Sequence, residues 1–301
     1  MTRRTHIRAM QALLAVLPAI CAHAAVDLTD DAGHRLRLER PAQRIVSLAP
    51  HVTELLFAAG AGSKVVGVVA HSDYPPAAAT LPQVGTHTRV DLEAVAALKP
   101  DLVIAWQSGN RDTHLERLTA LGIPVYVNEP RSLEAVAQSL AQFGRLAGTE
   151  ATADAAAAAF RQRRAALAAR YRERPPVRLF YQIWDQPLMT INDQQVISDA
   201  IRLCGGVNVF GGLEQLAPHI STEAVLAANP EAIIASGMAD ARPEWLDQWK
   251  RWPGLKATAA GNLFFIPPDL IQRHTPRLLD GAERLCGQLE EVRAKRVGNT
   301  R

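Results

Sequence analysis

Short apolar runs alternate with amphipathic segments along the first half of the chain. After a short polar stretch that ends at Pro41, residues 44–48 form an apolar run with β-branched side chains. Residues 53–59 follow at helical spacing, and Gly60 then marks a helix end. The same alternation predicts strands at residues 65–69, 102–106 and 125–127, and helices at 92–98, 112–121 and 133–146. Such alternation predicts a mostly parallel sheet covered by helices.

The alternation stops between residues 149 and 174, where the chain is rich in alanine and arginine and has no glycine or proline. We expect one long helix there because both residue types have high helix propensity. Pro175 and Pro176 end it. The alternation then resumes with strands at residues 177–183, 232–235 and 263–266 and helices at 196–203 and from Pro276 onward. The pattern predicts an α/β fold of two Rossmann-like lobes joined by a single long α-helix, with a ligand cleft between the lobes.

An internal similarity supports two equivalent lobes. Residues 91–105 align without a gap to residues 221–235, and each segment holds a capped helix, a proline and a buried strand. The alternative is that any helix–proline–strand unit gives this pattern. The predicted boundaries are a signal peptide at 1–24, an N-terminal lobe at 25–148, a connecting helix at 149–174 and a C-terminal lobe at 177–301. A helical connection should allow only slight closure over a ligand.

The first residues have the pattern of an export signal. Three arginines and no acidic residue precede an apolar run over residues 10–20, and residues 22–24 have the small–x–small pattern that a signal peptidase cuts. We expect cleavage after Ala24 and a periplasmic mature protein. A lipoprotein anchored through Cys21 is the weaker alternative, because the bulky Ile20 precedes that cysteine. The apolar run is only about half of the length that spans a bilayer.

Charge gives no indication of a polyanionic partner. The full chain has a formal charge of +3, but the predicted signal peptide holds three of the 33 Lys and Arg residues and none of the 30 Asp and Glu residues. Cleavage leaves 30 residues of each sign. The mature protein is therefore near neutral, and neither nucleic acid nor an anionic membrane is expected as a partner.

Cleavage also leaves two cysteines, Cys204 and Cys286, in a compartment that oxidises thiols. One disulfide between them is the simplest interpretation, and two buried free thiols are the alternative. Neither cysteine has a histidine or a second cysteine at metal-ligand spacing, so we expect no metal site.

The sequence contains no common catalytic motif. It has no Gly-x-Ser-x-Gly elbow, Walker loop, Rossmann glycine fingerprint or His-Glu-x-x-His helix. We therefore expect a binding protein without a cofactor of its own rather than an enzyme.

Ring and polar side chains follow the predicted strands at their carboxyl ends, where open α/β lobes bind ligands. In the first lobe these residues are His51, His71, Tyr74 and Trp106, and in the second they are Trp184, Met189, Asp269 and Arg273. A single tryptophan or histidine at such a position more often serves packing or capping. The set as a whole predicts a cleft with broad apolar faces and a few polar tips, which suits a large planar ligand.

The chain resembles the periplasmic cobalamin-binding receptors of ATP-driven vitamin importers, within the helical-backbone (class III) receptors that also carry haem and siderophores. The resemblance spans essentially the whole mature chain. It rests on residues 47–55 (Ser-Leu-Ala-Pro-His-Val-Thr-Glu-Leu), 72–76 (Ser-Asp-Tyr-Pro-Pro), 92–93, 98–106 (Leu-Lys-Pro-Asp-Leu-Val-Ile-Ala-Trp), 204–210 and 275–277 leading to Cys286. It implies a lobe–helix–lobe fold, a Cys204–Cys286 disulfide and one cobalamin or related corrinoid held between the lobes.

The resemblance also implies partners and residue roles. The receptor would be a monomer that delivers cobalamin to an ABC importer, built from a permease dimer with its ATPase subunits. Trp106 corresponds to a pocket wall, and Asp269 and Arg273 lie at the cleft. Glu93 and Glu223 correspond to acidic residues, one per lobe, that meet arginines of the permease. The alternative for both glutamates is a solvated carboxylate favoured by the helix dipole.

The chain departs from the best-known branch of this family. His71 and His87 stand where that branch has aromatic rings, Met189 replaces a pocket phenylalanine, and residues 216–219 replace a tryptophan region. An imidazole from His51, His71 or His87 would either bond the corrin amides or ligate a metal centre. The alternative function is therefore a haem, siderophore or other metal-chelate receptor of the same class. A periplasmic hydrolase is a more distant alternative because nucleophile motifs are missing.

Overall fold

The computed structural model of the protein describes residues 25–237 and 241–298. The predicted signal peptide and the Cys21 alternative lie outside the described residues, as do the last three residues of the predicted C-terminal lobe.

The N-terminal lobe is built on a parallel four-stranded sheet. A separate antiparallel hairpin, β1 (Val26–Thr29) and β2 (Arg35–Leu38), precedes it. The sheet contains β3 (Ile45–Ser47), β4 (Val65–Val68), β5 (Leu102–Trp106) and β6 (Val125–Asn128), in the spatial order β4-β3-β5-β6. The helices are α1 (Pro50–Ala58), α2 (Leu92–Ala97), α3 (Asp112–Ala120) and α4 (Leu133–Ala147). The hairpin lies in the polar stretch for which the sequence predicts no element.

The connecting helix α5 (Glu150–Tyr171) has 22 residues and contacts both lobes. Its buried residues Ala153, Ala157 and Phe160 face the protein interior. A Cβ at Gly144 of α4 would collide with the Ala153 side chain, so glycine allows α4 and α5 to pack closely. The predicted single long helix between the lobes is confirmed.

The C-terminal lobe repeats the architecture of the first. Its parallel strands are β7 (Val177–Gln182), β10 (Gly206–Asn208), β11 (Ala232–Ala235) and β12 (Leu263–Phe265), and a small hairpin pairs β8 (Trp184–Asp185) with β9 (Leu188–Met189). The helices are α6 (Val196–Leu203), α7 (Thr222–Ala228), α8 (Lys256–Ala259), α9 (Pro268–Ile271) and α10 (Leu278–Gly298). The spatial order β10-β7-β11-β12 matches that of the first lobe, strand for strand.

The internal similarity maps onto equivalent elements. The two similar segments form α2 with β5 and α7 with β11, which are the third strands of their sheets with the helices before them. Each helix begins at a side-chain cap, because Asp91 accepts from the Ala94 amide and Ser221 accepts from the Ala224 amide. The α/β fold with two parallel-sheet lobes is therefore confirmed.

A disulfide joins Cys204, at the end of α6, to Cys286 in α10. Both cysteines are fully buried, so the bridge lies in the core of the C-terminal lobe. The pairing implied by the resemblance is confirmed, and the alternative of two free thiols is wrong. Within the described residues, no helix has the length and apolar character needed to cross a bilayer.

Candidate functional site

Four rings from both lobes meet at the lobe boundary, and we call them the ring cluster: His51, His87, Trp106 and His274. The His51 and His274 ring centroids lie 5.1 Å apart, and Trp106 stands edge-on to both at 5.3 and 6.2 Å. His87 lies 5.8 Å from Trp106. His51, His87 and Trp106 belong to the N-terminal lobe and His274 to the C-terminal lobe, so the cluster spans the boundary.

Local structure explains how the N-terminal lobe presents these rings. His51 follows Pro50 in the first turn of α1, directly after β3, and Trp106 is the last residue of β5. Asn110 ties the loops together: its Oδ1 accepts from the Trp106 amide at 2.6 Å, and its Nδ2 donates to the carbonyls of Leu48 and His87 at 3.0 and 2.7 Å. The side chain of Asn110 therefore fixes the segments around Leu48, His87 and Trp106 relative to one another.

Burial keeps the imidazoles of the ring cluster uncharged at neutral pH. Burial, followed by the charge of His274, lowers the pKa of His51 well below its usual value, against an opposing interaction with Asn128. Burial also lowers the pKa of His274 to about 4. Burial and the nearby His71 lower the pKa of His87.

Three nitrogen atoms of the ring cluster are buried without a hydrogen-bond partner among the described residues: His51 Nε2, Trp106 Nε1 and His274 Nδ1. Buried polar groups in folded proteins are nearly always paired, and leaving one unpaired costs about 1–3 kcal/mol. This concentration of unpaired ring nitrogens identifies the lobe boundary as the best candidate for a ligand site.

Ion pairs beside the ring cluster cross the lobe boundary. Arg273 donates to Asp73 of the N-terminal lobe at 2.7 Å and also pairs with Asp269 at 2.9 Å. Burial raises the pKa of Asp73, but the hydrogen bond and charge of Arg273 outweigh it, so the pKa is lowered overall. Arg277 binds both carboxylate oxygens of Glu54 at 2.8 Å, and Glu54 is almost fully buried.

The predicted site residues fall into three groups by position. The first group, in the ring cluster, contains His51, His87 and Trp106. The exposed His71 makes no ring contact with the cluster in the part of the chain that the structure describes, but its charge contributes to the lowered pKa of His87. The second group lies at the cross-lobe ion pairs and contains Asp269, Arg273 and Tyr74, whose ring lies under the Arg277 guanidinium at 3.9 Å. The third group, Trp184 and Met189, forms a cross-strand pair in the β8–β9 hairpin and makes no ring contact with the cluster within the described chain.

Four polar residues at or beside the site were missed from the sequence: His274, Gln195, Asn110 and Asn128. His274 directly follows Arg273, so the strand-end rule that selected Arg273 was sufficient to find it. Gln195 caps α6 and lies 3.5 Å from the His274 ring, a contact that only tertiary structure creates. Asn110 holds the loops of the site through hydrogen bonds to segments that are distant in the sequence, which no local pattern indicates. No group of three or more His, Cys, Asp or Glu side chains in the described ranges is arranged to hold a metal ion.

Glu93 and Glu223 are far apart in the sequence but occupy equivalent positions in the two lobes. Each is exposed in the first turn of its helix, α2 or α7. A surface groove of about 510 Å³ includes Glu93 and the exposed Leu121, and another of about 500 Å³ includes Leu213, Ile220 and Ala224 next to Glu223. Each lobe therefore presents a carboxylate beside an apolar groove.

Comparisons with known proteins match this chain to periplasmic binding proteins. The sequence profile of the family described as periplasmic binding protein matches residues 45–270. The chain is 37% identical over 251 residues to a vitamin B12-binding protein of Vibrio cholerae, covering 83% of this chain and 90% of that relative. Among solved structures, the periplasmic vitamin B12 binding protein BtuF of Vibrio cholerae matches with a TM-score of 0.77 and 36% identity, over 84% of this chain and 98% of that one. A periplasmic haem-binding protein from Pseudomonas aeruginosa matches with a TM-score of 0.68 and 28% identity, over 81% and 91% of the two chains.

Proposed function

Because the chain belongs to the periplasmic binding protein family, we propose that it captures cobalamin or a related corrinoid between its lobes and delivers it to an ABC-type importer. The observation that carries this proposal is the 37% identity to a vitamin B12-binding protein, which extends over 83% of the chain and so includes both lobes. Transport requires no chemistry on the ligand, so the protein has no catalytic role and no cofactor of its own.

The proposed binding residues are the nine that the sequence predicts: His51, His71, Tyr74, His87, Trp106, Trp184, Met189, Asp269 and Arg273. The ring cluster supports His51, His87 and Trp106, because its apolar ring faces and unpaired nitrogens suit a large ligand with polar edges. The cross-lobe ion pairs support Asp269 and Arg273.

Glu93 and Glu223 dock the receptor on the permease dimer in this proposal. Two like lobes that present like carboxylates suit a partner with two-fold symmetry. The groove beside each glutamate supplies apolar surface for the same contact, with Leu121 or Leu213 exposed at its edge.

The receptor acts as a monomer in this proposal. Its signal peptide is cleaved after Ala24, and the mature protein has lobes at residues 25–148 and 177–301 and a connecting helix at 149–174.

Isothermal titration of the mature protein with cyanocobalamin tests this function. We expect tight one-to-one binding, since the site lies at one boundary between two lobes. Haemin is titrated in parallel with absorbance spectra. Absence of cobalamin binding would exclude the proposed ligand.

A haem or metal-chelate receptor is the second candidate function. The observation that favours it is the density of uncharged imidazoles at the lobe boundary, because a neutral imidazole is a metal ligand. Identity of 28% to a haem-binding protein agrees with it. A Soret shift when haemin is added, without cobalamin binding, would establish this candidate and reject the first.

A further inference from the structure

Gln195 fixes the position of the hydrogen on the buried ring of His274. The Oε1 of Gln195 accepts from the Ile197 amide at 2.6 Å, so its Nε2 is the atom that faces His274 Nε2 at 3.5 Å. An amide nitrogen only donates, and two donors do not bond each other, so His274 Nε2 is the acceptor. Every imidazole carries at least one N–H, and the hydrogen of this ring is therefore on Nδ1.

The Nδ1–H of His274 is buried and has no acceptor within the described ranges of the chain, and the residue as a whole is only 5% exposed. The indole Nε1 of Trp106 is also buried without a partner there, and an indole nitrogen only donates. The two rings stand edge-on, with 6.2 Å between their centroids. The lobe boundary therefore has one unpaired donor from each lobe.

Each of these two donors is oriented by its own lobe. The side chain of Gln195 caps α6, and the same side chain faces His274, so the C-terminal lobe orients the imidazole. In the N-terminal lobe, the Oδ1 of Asn110 accepts from the Trp106 amide at 2.6 Å. Groups that are oriented before binding lose little conformational freedom when a ligand arrives. Both donors are therefore prepared for acceptors that the protein itself does not supply.

We propose that His274 is a ligand-binding residue that Gln195 holds as an N–H donor, and that His274 and Trp106 donate, one from each lobe, to acceptor oxygens of the ligand. The inference rests on the proposed function and deepens it, because it assigns roles to His274 and Gln195. The rim of a corrinoid carries amide side chains, whose carbonyl oxygens are such acceptors. A ligand that supplies them pairs two buried groups that the free protein leaves unpaired, which favours binding.

The contact with Gln195 also prevents His274 from ligating a metal centre. An imidazole binds a metal through a nitrogen lone pair. The lone pair of His274 lies on Nε2, which faces Gln195, and Nδ1 carries the hydrogen. His274 therefore contacts the organic periphery of the ligand and not its metal.

The first test determines the position of the hydrogen in the free mature protein. Two-bond 1H–15N correlation spectra distinguish protonated from unprotonated ring nitrogens, and the signals lost in His274→Asn identify His274. We expect the hydrogen on Nδ1 in the wild type. Gln195→Ser retains a capping side chain for α6 but is too short to contact the ring, so both tautomers should be populated in it. A hydrogen on Nε2 in the wild type, or unchanged His274 signals in Gln195→Ser, would overturn the inference.

The second test measures cyanocobalamin affinity by isothermal titration. His274→Phe and Trp106→Phe each keep a ring but remove a donor, so each should weaken binding about 5- to 100-fold, because an acceptor of the ligand is then buried without a partner. In His274→Asn an amide nitrogen is attached to Cγ, as Nδ1 is, and this variant should bind at least about threefold more tightly than His274→Phe. Gln195→Ser should weaken binding about 2- to 10-fold.

The exposed His34, between β1 and β2, provides the matched control, and His34→Phe should not change the affinity. Wild-type affinity in His274→Phe or Trp106→Phe would overturn the inference and leave the proposed function intact, as would His274→Asn binding no more tightly than His274→Phe. A spectral change of bound aquacobalamin that His274→Phe abolishes would show metal coordination and would also overturn it. Failure of the wild type to bind cyanocobalamin would overturn the proposed function, and the role of His274 toward a corrinoid with it.

Discussion

Trp106 ends β5 at the lobe boundary, and its indole contacts imidazoles from both lobes. A Cβ at Gly109 would overlap the indole, so glycine at that position lets the ring lie against the backbone. The strand-end position was visible in the sequence, and the structure adds the reason that the ring is held in one orientation.

Trp106→Ala should weaken cyanocobalamin binding by about 1–3 kcal/mol, because a broad aromatic contact is lost. Isothermal titration measures the change. Trp252→Ala serves as the control, since Trp252 packs in the C-terminal lobe against Trp249 and lies outside the ring cluster. Unchanged affinity of Trp106→Ala would remove this tryptophan from the site.

His274 makes stability depend on pH. Its pKa is about 4 in the folded protein and near 6.5 in the unfolded chain, so the unfolded chain binds a proton first as the pH falls. Stability should therefore fall between about pH 6.5 and 4, by roughly 2–3 kcal/mol from this group. His274→Phe should flatten the fall.

Urea unfolding at pH 7 and pH 4.5 measures that difference in the free energy of unfolding. The exposed His34, replaced in His34→Phe, gives the comparison at a solvated position. An identical pH dependence in His274→Phe and the wild type would show that His274 is not held neutral by burial.

At the scale of elements, α2 and α7 were predicted together from one internal similarity, and they occupy equivalent places in the two lobes. Side-chain caps begin both helices, so Glu93 and Glu223 lie at the same distance from their caps. The hairpin of β1 and β2 was not predicted. Its four-residue strands are too short to give a clear period, and the backbone of Asp31 and the side chain of Asp30 bind it to Val127.

Glu93→Arg combined with Glu223→Arg should stop uptake and leave cyanocobalamin affinity unchanged, because both carboxylates are exposed at helix starts away from the ring cluster. Uptake of labelled cobalamin by cells and titration of the purified protein measure the two properties separately. The exposed Glu116 of α3 provides a control through Glu116→Arg. A loss of ligand affinity in the double variant would contradict the separation of docking from binding.

At the scale of the whole molecule, α5 and the ion pairs fix the position of the two lobes relative to each other. Arg161 of α5 pairs with Glu134 of α4 at 2.7 Å, while Arg163 pairs with Asp280 and Glu283 of α10 at 2.6 and 2.8 Å. The connecting helix is thus tied to both lobes. The buried Glu54–Arg277 pair adds a direct link across the boundary.

This double attachment predicts a small change of shape on binding. The radius of gyration from small-angle X-ray scattering should change by less than about 1 Å when cyanocobalamin is added, as in pre-organised complexes. The expectation follows from a helical connection whose ion pairs reach both lobes. A decrease of several ångströms would indicate a hinge, and α5 would then not hold the lobes at a fixed distance.

The sequence by itself determined the elements and their order. Apolar periods, capping residues and prolines act within a few neighbouring residues, so β5, α6 and β11 were predicted to the residue, and α5 to within a few positions. The repeat of one helix–proline–strand unit further indicated two equivalent lobes. Two cysteines in an oxidising compartment were enough to suggest the disulfide.

Only the tertiary structure decided which side chains meet at the lobe boundary. His51 and His274, Glu54 and Arg277, and Asp73 and Arg273 are each joined across two lobes. Their distances depend on how both sheets pack against α5 and on the cross-lobe ion pairs. Local periodicity describes the buried face of one segment and contains no information about that packing. The ring cluster and its unpaired nitrogens therefore appear only when the two lobes are placed together.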